Sequence, residues 1–148
     1  TAAGCQLVAM CDLAVADDEA RFAVSGINVG LFCATPSVAL SRNVSRKQAF
    51  EMLVTGEFIS AAQAVERGLV NHAVPAPELD QAITTLARTI CGKPAPAIAA
   101  GKGLFYRQLE MGIEAAYQAA GQTMACNMVD PCAQEGTLAF LEKRAPNW

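Results

Sequence analysis

The sequence has little charge and no basic cluster. Charged residues make up 17% of its 148 residues, and 11 Lys and Arg stand against 14 Asp and Glu, for a net charge of −3. No run of basic residues is longer than two. Because nucleic-acid phosphates require a positive face on their partner, we expect no nucleic-acid partner.

Histidine is also scarce: it occurs once, as His72, and the six cysteines form no Cys-x-x-Cys pair. Zinc sites need several such ligands at short spacing, so we predict no metal site. A Ser-His-Asp or Cys-His catalytic site would have to use His72 as its base. Because His72 lies in a strand-like run, 70–74, we interpret it as a partly buried, hydrogen-bonded structural residue. The cysteines lie among apolar neighbours, which is typical of free thiols in a reducing compartment.

No apolar run fits a membrane span. The longest uncharged stretch covers residues 22–41, long enough to cross a bilayer. Its interior, however, holds two glycines, a proline and three serines, which indicate turns. We therefore expect no membrane partner.

What the sequence has is apolar content: 53% of the residues are hydrophobic. A chain of this length and composition can bury a full core, which excludes a disordered or fibrous protein. The first residue is Thr1 rather than Met. We expect the chain to be part of a longer polypeptide.

The pattern of elements changes near residue 93. Before it, strand-like runs at 13–16, 21–24 and 69–74 alternate with helical patterns. After it, alanine-rich helical patterns cover 114–128 and 134–144, with no strand signal. We predict an α/β part at 1–92 and an all-helical part at 93–148.

Two Ser-x-x-Gln sequences mark helix starts, at Ser45–Gln48 and at Ser60–Gln63. This spacing is typical of the capping box, in which the serine accepts from a backbone N–H and the glutamine side chain accepts in return. Gly56 and Gly68 follow these two helical patterns and fit their ends.

The first six residues suggest a binding site. Ala2, Ala3 and Gly4 place very small side chains where an apolar helix begins. The free N–H groups and the dipole of a helix start can stabilise a developing negative charge. Tight packing explains small residues at such a place equally well, so both interpretations stay open on the spacing alone.

The residues from Ala3 onward resemble a known family, the crotonase (enoyl-CoA hydratase/isomerase) superfamily. The run 3–12, Ala-Gly-Cys-Gln-Leu-Val-Ala-Met-Cys-Asp, is similar to the family's Gly-Gly-Cys-Glu-Leu-Ala-x-x-Cys-Asp segment. Similarity continues in order through Gly30-Leu, 51–56, 59–64, Gly68-Leu-Val, Val74-Pro and 135–144. The run 28–33 further resembles the subgroup called enoyl-CoA hydratase domain-containing protein three. The resemblance implies the second half of a crotonase-type α/β fold, with ββα superhelical turns followed by a helical trimerisation tail.

The resemblance also implies catalytic positions. In this family two backbone N–H groups hold the thioester carbonyl, and one of them maps onto Ala3 here. Family hydratases add two glutamates, which would fall at Gln6 and Gly26 in this sequence. Glutamine cannot take a proton from water at neutral pH, and glycine offers no side chain, so we expect slow hydration. We interpret Ser25, Asn28 and Cys33, the nearest polar or nucleophilic residues, as structural.

Further along the chain, the family places Phe140 and Lys143 near the adenine and phosphate end of coenzyme A. We expect these two residues to share one face of a helix. The alternative is a core phenylalanine beside a solvated lysine.

Two functions therefore stay open. One is an acyl-CoA enzyme that acts through enolate stabilisation, with hydration, isomerisation or thioester hydrolysis as its reaction. The other is a non-catalytic acyl-CoA binder. The expected partner is an acyl-CoA thioester, with no separate cofactor because coenzyme A is part of the substrate. The expected assembly is a homotrimer or a dimer of trimers, in the cytoplasm or alternatively the mitochondrial matrix.

Overall fold

Eight helices and four short strands form from this sequence in the computed structural model, which describes all of residues 1–148. The helices are α1 (Ala3–Met10), α2 (Ala34–Asn43), α3 (Arg46–Thr55), α4 (Ala61–Glu66), α5 (Leu79–Cys91), α6 (Ala95–Gln108), α7 (Ile113–Met128) and α8 (Pro131–Leu141). The strands are β1 (Val15–Asp17), β2 (Arg21–Phe22), β3 (Ile59–Ser60) and β4 (His72–Val74). Short 3₁₀ turns cover Ser25–Val29 and Ala76–Glu78.

The chain divides into two compact units, Thr1–Thr85 and Leu86–Trp148. All four strands belong to the first unit, and the second is entirely helical. The division falls within α5, whereas the sequence pattern placed a domain boundary at 92/93. That domain boundary stays a prediction.

In the first unit, α1 and α2 pack against each other across small residues. Cys5 and Ala9 of α1 are buried, as are Ala39 and Leu40 of α2. The Asn43 side chain donates a 2.7 Å hydrogen bond to the Ala9 carbonyl, which ties the ends of the two helices together. This packing fixes the axis of α1 and therefore the direction in which its first N–H groups point.

Two separate strand pairs complete the first unit. β1 and β4 are parallel, with Val15 opposite His72, and β2 and β3 are antiparallel, with Phe22 opposite Ile59. An α/β unit followed by a helical unit agrees with the expected fold class. The ββα superhelix and the role of the tail in trimerisation stay predictions.

One of the two predicted capping boxes is confirmed. The Ser60 hydroxyl accepts from the Gln63 N–H at 3.2 Å, and the Gln63 side chain accepts from the Ser60 N–H at 2.9 Å. The box at Ser45 is wrong, because its hydroxyl donates to the Gln48 side-chain oxygen at 2.8 Å and caps no backbone N–H. The same spacing permits both arrangements, since the hydroxyl can act as donor or acceptor.

In the second unit only alanines are buried, Ala116 on α7 and Ala139 on α8. The large apolar side chains of these helices, including Ile113, Tyr117 and Phe140, are exposed. No helix in the structure has the length and apolar character needed to cross a membrane.

Candidate functional site

The first turn of α1 presents an unpaired backbone donor. The N–H of Gly4 donates to the Thr1 carbonyl at 3.0 Å, and that of Gln6 donates to the Ala2 carbonyl at 2.9 Å. The Ala3 N–H, which lies at the first helical position, has no acceptor in the chain. Ala3 and Gly4 are exposed, so this N–H is accessible to a ligand.

Ala2 holds this donor in place through a strained backbone. Its φ of 48° and ψ of −114° lie in a region that favours glycine. The Ala2 N–H donates to the Ala23 carbonyl at 2.9 Å, and the Thr1 hydroxyl donates to the same carbonyl at 3.1 Å. These bonds fix the peptide before Ala3. Strain of this kind costs about 1–3 kcal/mol and is typical of functional sites.

Gln6 lies three residues after Ala3 and therefore on the same face of α1. Helical side chains tilt toward the N-terminus, so the half-buried Gln6 side chain leans toward the free N–H of Ala3. Behind it, Cys5 is buried on the core face, and burial raises the pKa of its thiol. The Cys5 thiol is thus a neutral packing group, and the donor and the amide are the polar groups on this turn.

Gly26 lies in the 3₁₀ turn that contacts the start of α1. Ser25, its neighbour, shares a 3.0 Å hydrogen bond between hydroxyls with Thr1. The Gly26 N–H donates to the Cys33 sulfur at 3.3 Å, and the Gly26 carbonyl accepts from the Leu31 N–H at 3.0 Å. Gly26 thus follows a residue that contacts Thr1, just before α1, and Ala3 and Gln6 lie in the first turn of that helix. The catalytic assignment of the three positions stays a prediction.

The polar residues around Gly26 all have partners within the chain. Ser25 contacts Thr1, Cys33 contacts Gly26, and the Asn28 side chain donates to the Gly56 carbonyl at 3.4 Å. These contacts support the structural interpretation of the three side chains. No pattern in the sequence indicates the pairing of Cys33 with Gly26, because seven residues separate them and no regular element links them.

His72 differs from its expected environment. It begins β4 opposite Val15, but its side chain is exposed and makes no hydrogen bond. The prediction of a partly buried, hydrogen-bonded histidine is wrong. His72 is the first residue of the three-residue strand β4, and its side chain lies at the surface of the chain, whereas the next two residues are half-buried. No cluster of three or more His, Cys, Asp or Glu side chains able to hold a metal is present.

In the second unit, Phe140 and Lys143 do not share a helical face. α8 ends at Leu141, and Lys143 has a left-handed φ of 53°, so the prediction of one helix through 144 is wrong. Phe140 is 81% exposed, which also excludes the alternative of a core phenylalanine. It lines an open cavity of about 460 Å³ together with Cys132 and Trp148.

Ion pairs of Arg144 hold the C-terminal residues of the chain, and we call this group of contacts the Arg144 clamp. The Arg144 guanidinium makes a bidentate salt bridge with the Glu135 carboxylate, at 2.6 and 3.0 Å, and also contacts Glu142 at 2.6 Å. The Arg144 hydrogen bond and the Asn147 N–H together lower the pKa of Glu135 to about 2. The indole N–H of Trp148 donates a hydrogen bond to the Gly92 carbonyl at 3.0 Å. This bond and the Arg144 clamp place Trp148 beside the cavity that Phe140 lines.

Comparison with known proteins identifies the class. The family model for enoyl-CoA hydratase/isomerase matches residues 1–148, and the chain belongs to this family. The crotonase-superfamily resemblance is therefore confirmed.

Within the family, the chain matches the subgroup of enoyl-CoA hydratase domain-containing protein 3. The rat mitochondrial protein of that name is 50% identical over 148 residues, which are all of this chain and 49% of that protein. The chain spans about half the length of the curated relatives it matches. A putative enoyl-CoA hydratase from Thermus thermophilus is 32% identical over 147 residues, 99% of this chain and 58% of that protein.

Solved structures agree with this assignment. An enoyl-CoA hydratase from Mycobacterium smegmatis is 67% identical with a TM-score of 0.97, over 99% of this chain and 57% of that one. The human enoyl coenzyme A hydratase domain-containing protein 3 is 50% identical with a TM-score of 0.94, over 99% of this chain and 58% of that one. The fold of the described residues is thus that of crotonase-family proteins.

Proposed function

We propose that this chain binds an acyl-CoA thioester and polarises its carbonyl with the Ala3 N–H. The observation that carries the proposal is the unpaired, accessible N–H at the start of α1, held by the strained Ala2. A donor of this kind stabilises negative charge on the carbonyl oxygen, and the helix dipole adds to the effect. The second donor would come from residues outside this chain.

The chemistry at the α-carbon is where this protein departs from a hydratase. We assign Gln6 and Gly26 to the two positions that hold glutamates in family hydratases. Glutamine can orient a water molecule but cannot accept its proton, and glycine provides no group at all. General acid–base groups each contribute about 10²–10⁴-fold, so we expect hydration to be slow.

A second candidate function is a non-catalytic acyl-CoA binder, and Gln6 and Gly26 favour it. An enzyme with another crotonase reaction, isomerisation or thioester hydrolysis, is the remaining alternative. A carboxylate supplied by residues outside this chain and placed over the thioester α-carbon would distinguish an enzyme from a binder.

The nucleotide end of coenzyme A is assigned to the second unit. Phe140 offers an exposed ring for the purine, and the Lys143 ammonium offers a charge for a phosphate. Coenzyme A is part of the substrate in this proposal, and no separate cofactor is involved. The exposed apolar side chains of α7 and α8 support assembly into a homotrimer or a dimer of trimers.

The compartment is proposed from the relatives. The 67% identical structure is bacterial, which supports a cytoplasmic location. The 50% identical rat protein is named mitochondrial, which supports the mitochondrial matrix as the alternative.

The direct test uses the full-length protein and a 2,4-dienoyl-CoA, whose absorbance moves to longer wavelength when its carbonyl is polarised. Binding with a red shift is the expected result. Binding without a shift would leave a binder that lacks a working oxyanion hole, and no binding would contradict the proposal.

The hydration of crotonyl-CoA, followed by loss of the enoyl absorbance, tests the chemistry. We expect the wild type to be far slower than an ordinary hydratase. An ordinary rate would show that a group outside this chain transfers the proton. The expectation that Gln6 and Gly26 make hydration slow would then be wrong.

A further inference from the structure

Two hydrogen bonds made by the Gly26 backbone close the turn that contains this residue. The Gly26 carbonyl accepts from the Leu31 N–H at 3.0 Å, and the Gly26 N–H donates to the Cys33 sulfur at 3.3 Å. Gly30 takes a left-handed φ of 78° between them and lets the chain reverse direction. Leu31 and Cys33 are therefore brought back over position 26.

This closure leaves no volume for a side chain. A Cβ placed on Gly26 would lie 2.5 Å from the Leu31 carbonyl oxygen and 2.7 Å from the Cys33 sulfur. Both distances are far below ordinary van der Waals contact. The nearer atom belongs to the backbone, so no change of rotamer can relieve the overlap.

The turn is also packed on its far side. Gly56, the left-handed residue that ends α3, lies against it: a Cβ there would come within 2.8 Å of the side chains of Ile27 and Asn28. The Asn28 side chain donates to the Gly56 carbonyl at 3.4 Å. Moving the turn to make room at position 26 would therefore disturb its packing on α3.

The same turn is joined to the start of α1. Ser25 shares a hydrogen bond with Thr1, and the Ala23 carbonyl accepts from both Thr1 and Ala2. Any displacement of the turn is thus transmitted to Ala2, whose strained backbone aims the Ala3 N–H.

We infer that Cys33 is a positioning residue that holds the turn closed around position 26, and that this closure excludes a glutamate there. The inference rests on the proposed function, because it concerns the thioester site defined there: it accounts for slow addition of water to the enoyl double bond. The shape of the turn then accounts for the absence of a glutamate at position 26. Introducing a glutamate there does not by itself restore hydration.

The first test compares Gln6→Glu with Gln6→Glu/Gly26→Glu in the full-length protein, by kcat for crotonyl-CoA hydration and Kd for a saturated acyl-CoA. We expect the second glutamate to add less than about threefold to kcat, although a correctly placed carboxylate contributes about 10²-fold or more. A gain of that size with an unchanged Kd would overturn the inference.

Gly26→Ala tests the steric overlap alone, because it adds only the Cβ. This variant tests the closure of the turn even if the glutamate variant does not fold. We expect a lower melting temperature and a Kd for acyl-CoA raised at least fivefold. Gly103→Ala in α6 is the matched control, since a Cβ there meets no atom within 4 Å. A Gly26→Ala protein with the melting temperature and Kd of the wild type would refute the closure.

Cys33 is tested by rescue. Cys33→Ala removes the acceptor and should reduce the red shift of bound dienoyl-CoA, whereas Cys33→Ser keeps an acceptor and should retain most of the shift. Cys11→Ala, at an exposed cysteine, is the control. Equal shifts for the alanine and serine variants would remove the positioning role. If the wild type binds no thioester, the proposed function fails, while the melting temperatures of the Gly26 variants still report on the closure.

Discussion

The backbone N–H of Gly26 and the thiol of Cys33 lie 3.3 Å apart, and a side chain on Gly26 would have to occupy the space of that sulfur. A buried cysteine thus stands against the position where the family resemblance places a carboxylate. Position 26 therefore differs from the glutamate position of family hydratases in the space available as well as in residue type.

Gly26→Ala should lower the free energy of unfolding by about 1–3 kcal/mol, the usual cost of adding a methyl group to a filled space. Gly103→Ala should raise it by about 0.5–1 kcal/mol, because alanine loses less entropy in a helix than glycine does. Urea denaturation of the full-length variants measures both. The opposite signs make the pair informative, and a stabilising Gly26→Ala would contradict the structure.

Ala2 should respond to substitution in the order expected for its left-handed φ. Ala2→Gly removes the clash of the Cβ and should leave stability within about 1 kcal/mol of the wild type. Ala2→Val adds a branched side chain in a region such residues avoid, and should cost about 1–2 kcal/mol. The dienoyl-CoA red shift should persist in the glycine variant and shrink in the valine variant; the reverse order would show that Ala2 does not aim the Ala3 N–H.

The Glu135–Arg144 contact should stabilise the protein at neutral pH and lose its effect in acid. The contact lowers the pKa of Glu135 to about 2, below the unfolded value of about 4.3. A lowered pKa means that the stabilisation is complete above the unfolded value and is lost as pH falls toward 2.

The measurement is the difference in free energy of unfolding between wild type and Glu135→Gln from pH 8 to 2. We expect a constant difference from pH 8 to 5 that shrinks below about pH 4.5. A difference that grows as the pH falls would show that the carboxylate is not held by Arg144.

The two serines of the Ser-x-x-Gln sequences should differ in their effect. Ser60→Ala removes a working cap and should cost about 1 kcal/mol. Ser45→Ala removes only the hydroxyl's hydrogen bond to the side chain of Gln48 and should cost less than about 0.5 kcal/mol. Thermal unfolding of the two variants provides the comparison, and equal losses would place a cap at Ser45 as well.

Several features could be predicted from the sequence because their causes are local. The Ser60 cap depends on residues three apart, and the pattern at 114–128 anticipated α7 at Ile113–Met128 to within one residue. The end of α8 was missed because no glycine marks it. Lys143 takes the left-handed conformation instead, and the N–H groups of Lys143 and Arg144 donate to the carbonyls of Phe140 and Ala139, which ends the helix after Leu141.

Some features of the candidate site could likewise be predicted from the sequence, and others could not. By itself, the sequence determined the family, the small residues at the start of α1 and the absence of glutamate at positions 6 and 26, since all of these are residue identities in order along the chain. Only the tertiary structure decided how the free Ala3 N–H is oriented and that Gly26 has no room for a side chain. Both depend on contacts through space, Ala2 with Ala23 and Gly26 with Leu31 and Cys33, whose distances are fixed by how the turn packs on α1 and α3.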